Sequence, residues 1–245
     1  MIYVIADIHG CYDVYISLLK KIKFSDEDEL FVLGDVVDRG PEPIKVLQDM
    51  MMRPNVYPIL GNHDYMALKV LKKLCVDINE ENAENHLSEK DMMDYLYWMQ
   101  DGGKTTVDKF QKLSMEEKED ILDYLQEFTL YEDVCVGNKR FILAHADLHG
   151  YEEKCMEGCG SIDEVDLDEF DFSDFIFYRA DYEKRYFKDK NTFLVTGHTP
   201  TFSVREDGEA LILEKNGHIA IDCGCVYGKR LAAYCLNDGN VEYVG

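Results

Sequence analysis

Apolar and polar positions alternate along the first third of the chain in a repeating unit. Ile2 to Ile5 is a short β-branched run, followed by a turn and by Val14, Leu18, Leu19 and Ile22 at helical spacing. Leu30 to Leu33 is a second run, and the stretch after it carries Ile44, Val46 and Leu47. Val56 to Leu60 is a third, followed by a helical stretch from Tyr65 to Leu74. Strands of about five residues alternating with helices of ten or more predict βαβ units and a parallel sheet. Pro41 is expected in the first turn of the second helix, where a missing N–H does no harm.

From about residue 75 to 133 the pattern becomes polar, helical and acidic. DMMDYLYWMQDGG and SMEEKEDILDYLQEF both read as amphipathic helices, with Ser114 placed to cap the second. Strand signals return at Tyr131 to Val136, Phe141 to His145 and Phe193 to Thr196. Others follow at Ala210 to Leu213, His218 to Ile221, Leu231 to Leu236 and Val241 to Val244. Asn216-Gly217 and the Asn237 to Asn240 turn predict antiparallel hairpins among these last strands.

The formal net charge is -23, from 49 acids and 26 bases, and it is unevenly spread. Residues 77–133 hold 17 acids and 5 bases, and residues 152–189 hold 13 and 5, so these two segments carry -12 and -8. A balance this acidic disfavours nucleic acid and anionic membrane as partners, because both are polyanions. No run approaches the roughly 18 apolar residues of a membrane span. The N-terminus shows no secretory signal, and eight scattered cysteines read as reduced thiols, so a cytoplasmic location is expected.

The candidate chemistry lies at the strand ends. Asp7-Ile8-His9-Gly10 follows the first run, Gly34-Asp35-Val36-Val37-Asp38-Arg39-Gly40 the second, and Gly61-Asn62-His63-Asp64 the third. Adjacent parallel strands would deliver these residues to one carboxyl edge, where open α/β sheets bind ligands. Two later runs end in His145 and His198. Asp7, His9, Asp35, Asn62, His145 and His198 are all oxygen or nitrogen donors. One shared carboxylate, Asp35, suits a pair of divalent ions about 3.5–4 Å apart. The donor set suits manganese, iron or zinc rather than copper(I) or an iron–sulfur cluster. Gly34, Gly40 and Gly61 are expected to let the backbone turn sharply beside the ions.

The set DIHG, GDVVDRG, GNHD, LAHADL and VTGHTP resembles the calcineurin-like metallophosphoesterases. Within them it is similar to the phosphoprotein phosphatase branch, which includes bacterial serine/threonine phosphatases and dinucleoside tetraphosphatases. Arg39-Gly40, WMQDGGKTT (Trp98, Gly102, Gly103, Thr105) and IDCGCVYGKRLAA carry that finer likeness, which runs from residue 1 to about 235. The resemblance implies an α/β calcineurin-like fold, with mixed β-sheets sandwiched between helices in four layers. The expected organisation is one domain over 1–245, with a helical insertion at about 75–133 and an acidic loop region at about 151–190.

The resemblance also implies roles. Asp7, His9 and Asp35 would hold a first divalent metal ion; Asp35, Asn62, His145 and His198 would hold a second, with manganese the expected ion and iron or zinc the alternatives. A hydroxide bridging the ions would attack phosphorus in line. His63 would protonate the leaving oxygen, oriented by Asp38, and Arg39 and Asn62 would contact the phosphate. Arg179 is the candidate second phosphate-binding arginine, with Arg185 as its alternative. Two departures stand out: Asp147 follows His145-Ala146 where glycine is usual, and Asp64 replaces a common Glu. Asp147 would bring an extra carboxylate close to the second ion.

Plainer readings apply elsewhere. His86, His149 and His218 read as core or surface residues, and Trp98 as an anchor for the insertion. Cys155/Cys159 and Cys223/Cys225 lack the spacing of zinc pairs and read as buried or loop thiols. The expected function is a metal-dependent phosphatase acting on phosphoserine or phosphothreonine in proteins or peptides. A dinucleoside polyphosphate hydrolase is the alternative, and an inactive phospho-recognition module a third reading that the His63/Asp38 pair argues against.

Overall fold

The computed structural model describes residues 1–75, 88–151, 167 and 170–245. The three expected parallel strands form as β1 (Ile2–Ile5), β2 (Glu29–Leu33) and β3 (Val56–Ile59), each of β1 and β3 pairing in register with β2. Antiparallel β9 (Leu231–Cys235) and β10 (Val241–Val244) extend this sheet past β1, giving the order β10-β9-β1-β2-β3. A second mixed sheet runs β4-β5-β6-β8-β7, from β4 (Tyr131–Val136), β5 (Lys139–Ala144), β6 (Thr192–Thr196), β7 (Leu213–Lys215) and β8 (His218–Ala220).

The period-2 alternation of each strand sorts its side chains between two cores. Val4, Phe31 and Leu33 join Phe141, Leu143, Val195 and Ile219 in one buried cluster between the sheets. Ile5, Leu30 and Val32 point the other way, into a cluster with Leu18 of α1 (Tyr12–Ile22), Leu47 of α2 (Pro43–Met51) and Val70 of α3 (Asn62–Leu74). On the second sheet, Ile142 and Leu194 share that cluster with Tyr151, Phe175 and Tyr186; Phe175 lies on the short α7 (Phe172–Ile176). Two mixed sheets flanked by helices result, as the resemblance implies. The acidic stretch supplies α4 (Glu89–Trp98), a π-turn (Met99–Gly103), α5 (Lys104–Phe110) and α6 (Met115–Gln126), with Ser114 capping α6 through Glu117 N–H.

Three expectations are corrected. Pro43, not Pro41, opens α2, because Glu42 N–H is already bonded to Gly10 O at 3.0 Å and Gly40 N–H to Asp38 O at 2.7 Å. Residues 210–212 do not join β7: Ile212 N–H donates to the Tyr243 hydroxyl and its carbonyl accepts from Arg205, so both ladder groups are spent on side chains. Helix α3 starts at Asn62, three residues early, because Asp64 Oδ2 accepts from Gly61 N–H and closes a capping box. That last shift puts Asn62 and His63 on the rigid first turn of a helix. Among the described residues, no helix is long and apolar enough to cross a membrane.

Candidate active site

The strand-end motifs converge at the carboxyl edge of β1–β3, and the backbone there is strained. Of the eight non-glycine residues with positive φ among those described, six are Asp7, His9, Asp35, Asp38, Arg39 and His198. Each held left-handed φ costs on the order of 1 kcal/mol or more and persists only where the surroundings dictate it. The glycines act through close approach as much as through turning. Gly34 has φ 72°, and a Cβ on it would lie 2.5 Å from Gly61 Cα. Gly40 has an ordinary φ, but a Cβ there would meet His9 O at 1.9 Å. The expectation that Gly40 and Gly61 serve sharp turns is therefore replaced by tight packing of neighbouring loops.

Asp35 stands between two groups of donors. Its Oδ2 lies 3.5 Å from His9 Nε2, and its Oδ1 lies 3.5 Å from His145 Nε2. Ligand atoms of His9, Asp35 and His63 fall within 4.8 Å of one another, as do those of Asp35, His145 and His198. His9 Nδ1–H donates to Val37 O and His145 Nδ1–H to Leu33 O, so each ring turns a bare Nε2 inward. Asn62 Oδ1, His145 Nε2 and His198 Nδ1 form a triangle with 3.1 Å sides. Three lone-pair atoms that close, with at most one proton among them, fit a divalent cation. Asp7 is buried beside this group, and its carboxylate accepts the His198 N–H at 2.9 Å.

Electrostatics agree with a cation site. Burial lowers the pKa of His9 and His198 to about 3 each, keeping both rings neutral and available as ligands. Burial raises Asp7 well above the ordinary range, with Asp222 and Asp35 adding like-charge repulsion. Asp222 itself is pushed up to about 7, by burial first and by Asp35 further. Against its own burial, Asp35 is held low by His145, His63, His9 and His198. Three carboxyl groups crowded in one dry pocket are relieved by positive charge placed among them.

His63 and Asp38 lie in contact: His63 Nδ1–H donates to Asp38 Oδ2 at 2.7 Å, and both are buried. Burial opposes a charge on His63, but Asp35 and Asp38 outweigh it and raise its pKa above the ordinary value. Arg39 Nη2 lies 2.7 Å from His63 Nε2, and Nη1 donates to His9 Nε2 at 2.9 Å. Arg179 is exposed, and its charge helps to lower His198. Arg185 instead donates to the Phe187 and Asp189 carbonyls and lies against Gly217 in the β7–β8 hairpin.

Sequence reading missed several groups. Trp98 is more than an anchor: its indole N–H donates to Asp38 Oδ2 at 2.7 Å. Thr106, next to the noted Thr105, donates to Asp38 Oδ1 at 2.6 Å and accepts Asp38 N–H at 3.0 Å. Asp222 was visible only as part of a likeness. Asp147 is buried but engaged by the Tyr186 hydroxyl, and it stands outside both donor clusters. Asp64 accepts from Val36 and Val37 N–H as well as Gly61, tying the second motif to the third. His218 is a core residue, lowered to about 3 by burial, and His149 is exposed and stacked on Tyr178 at 3.7 Å. Cys223 and Cys225 are buried free thiols, while His86, Cys155 and Cys159 lie outside the described residues.

Comparison with known proteins places this geometry. The family model for calcineurin-like phosphoesterases matches residues 1–244. A symmetrical bis(5'-nucleosyl)-tetraphosphatase of Buchnera aphidicola subsp. Schizaphis graminum is 33% identical over 147 residues, 57% of this chain and 54% of that protein. One of Salmonella paratyphi B is 36% identical over 115 residues, 46% of this chain and 41% of that protein. The chain thus aligns with about half the length of the curated relatives it matches. A solved structure provisionally named a diadenosine tetraphosphatase superposes with TM-score 0.62 at 20% identity, covering 99% of this chain and 92% of that one. A Saccharomyces cerevisiae protein serine/threonine phosphatase gives TM-score 0.54 at 14% identity, covering 99% and 78%. Those two likenesses speak for the fold alone. With the family model spanning both sheets and every strand-end motif, the chain belongs to the calcineurin-like phosphoesterases, a family that works with divalent metal ions.

Proposed function

We propose that the chain hydrolyses dinucleoside tetraphosphates symmetrically, releasing two nucleoside diphosphates. The observation that carries this reading is the name shared by the curated relatives, symmetrical bis(5'-nucleosyl)-tetraphosphatase, at 33% to 36% identity. It reverses the order expected from charge, which put phosphoproteins first. Apart from Asp101, the acids behind that order lie outside the motifs, and for those more than about 8 Å from the site screening blunts the effect on an anionic ligand.

In this reading His9, Asp35 and Asp7 hold one divalent ion, and Asp35, Asn62, His145 and His198 the other; manganese, iron and zinc all suit the donors. When bound, the ions supply Lewis acidity at phosphorus and a nucleophile drawn from water. Arg39 and Asn62 hold the scissile phosphoryl group, and exposed Arg179 serves an outer phosphate, a role for which Arg185 is committed elsewhere. His63 gives its Nε2 proton to the leaving oxygen while Asp38 fixes Nδ1–H. In the present arrangement Arg39 lies against that Nε2, so moving the guanidinium onto phosphate frees the nitrogen for its proton.

A second reading, a phosphoserine or phosphothreonine phosphatase, is favoured by the charge of -12 on residues 77–133, which suits a basic peptide carrier. Manganese-loaded protein incubated with diadenosine tetraphosphate beside a phosphopeptide panel separates the two. Faster cleavage of the nucleotide, with ADP as product, is expected; dominant turnover of phosphopeptides would install the second reading instead.

A further inference from the structure

Asp101 has no role in the scheme above, yet it touches Arg39, proposed to hold the phosphoryl group, and His63, proposed to protonate the leaving oxygen. Its Oδ1 accepts from Arg39 Nη2 at 3.0 Å, and its backbone carbonyl from Arg39 Nε at 3.4 Å. Its Oδ2 lies 3.4 Å from His63 Nε2. The Asp101 side chain is 50% exposed and His63 is 1% exposed, so the carboxylate sits on the solvent side of a buried imidazole. Among the described residues, Asp101 is the one carboxylate hydrogen-bonded to the Arg39 guanidinium.

The π-turn fixes this placement. Gly102 has φ 109°, its carbonyl accepts Arg39 N–H at 3.1 Å, and a Cβ on it would press on Arg39 Cγ at 2.7 Å. On the other side of the turn, Gly103 lies flat against the Trp98 indole, where a Cβ would stand 2.6 Å from ring atoms. The backbone carrying Asp101 is therefore clamped between Arg39 and Trp98.

We propose that Asp101 is a specificity-determining residue, an internal anion that occupies the phosphate's seat on Arg39 and is displaced by substrate. The inference rests on the reading that Arg39 grips phosphate. Carboxylate and phosphate oxygens both accept charge-assisted hydrogen bonds from a guanidinium, so an arriving ligand competes with Asp101 Oδ1 for Arg39 Nη2. The displaced carboxylate then stays nearby as a like charge. A free anion such as inorganic phosphate meets that opposition with only the contacts that one phosphoryl group can make. A substrate with a larger body offsets it through contacts elsewhere. The site is thereby biased against small anions and toward extended phosphate-bearing ligands.

Equilibrium dialysis of radiolabelled inorganic phosphate against manganese-loaded protein tests this directly. Both Asp101→Asn, which keeps the shape, and Asp101→Ser, which removes the bulk, are expected to bind phosphate about fivefold more tightly, the upper range for one exposed ion pair. Arg39→Ala is the companion, expected to weaken phosphate at least tenfold. If Arg39→Ala weakens phosphate while both Asp101 variants leave it unchanged or weaker, Asp101 has no such role and the reading of Arg39 stands. If Arg39→Ala leaves phosphate affinity unchanged, the reading of Arg39 fails and the inference falls with it.

Discussion

Asp38 is fully buried, and both of its carboxylate oxygens are occupied. Oδ2 receives His63 Nδ1–H and Trp98 Nε1–H, and Oδ1 receives the Thr106 hydroxyl, which in turn accepts Asp38 N–H. If His63 is the acid as proposed, it is only as well aimed as Asp38, so Thr106 would reach the chemistry through two bonds. Thr106→Val keeps the volume but leaves a buried N–H and a buried carboxylate oxygen short of a partner. Losing those partners costs about 1–3 kcal/mol. Urea unfolding is expected to show that loss, and turnover of a substrate with a poor leaving group to fall at least tenfold, with Thr106→Ser restoring both. Equal unfolding curves and equal turnover for the Val variant would remove Thr106 from the positioning network. The candidate ligands were legible in sequence because each follows an apolar run and its type is dictated by metal chemistry. Thr106, Asp101 and Asp222 were not, because nothing local marks a threonine that will meet a carboxylate 68 residues away.

At the scale of elements, the acidic helices reach the candidate site. The turn between α4 and α5 reaches inward and holds Asp38 through Trp98 and Arg39 through Asp101 and Gly102. Gly103→Ala isolates this contact, since its Cβ would enter the indole plane at 2.6 Å from ring atoms while its φ stays ordinary. Overpacking of this kind costs about 1–3 kcal/mol. Trp98 is the chain's only tryptophan, so its emission reports on the displacement without labelling. A shifted emission maximum together with reduced turnover is expected for Gly103→Ala; native emission with full turnover would detach the turn from the site. Helical spacing and turn signals revealed α1 to α4 and α6, and apolar runs revealed β1 to β6 and β8 to β10. Boundaries failed where side chains captured backbone groups, as Tyr243 and Arg205 do at Ile212. The inward reach of the turn was hidden for a similar reason: helical periodicity says which face is apolar, not which distant polar group the end of a helix will touch.

For the whole molecule, the site stores an imbalance that shows in the pH dependence of stability. Metal-free, the folded chain retains protons on Asp64 up to about pH 8, through burial and the nearby Asp35, and on Asp222 up to about 7. Unfolded, both ionise near pH 4. Between those values the folded state binds more protons, so stability falls as pH rises. The buried histidines His9, His198 and His218 act oppositely: each is lowered to about 3 by burial, and stability gained from them rises until their unfolded values near 6.5 are passed. Below pH 6.5 the two groups offset one another. From 6.5 to 8 the unfolded histidines give up their remaining half proton each, so their opposing effect fades and the carboxyl protons dominate, joined by His63, whose raised pKa acts in the same direction. Each retained proton is worth on the order of 1 kcal/mol per pH unit over that window. Chelator-treated protein is therefore expected to melt at a lower temperature at pH 8 than at pH 6.5. Manganese, which replaces those protons as the neutralising charge, should raise the melting temperature more at pH 8 than at 6.5. A melting temperature that climbs across this window without metal would mean that the crowded carboxyl groups are already relieved by something other than protons or cations.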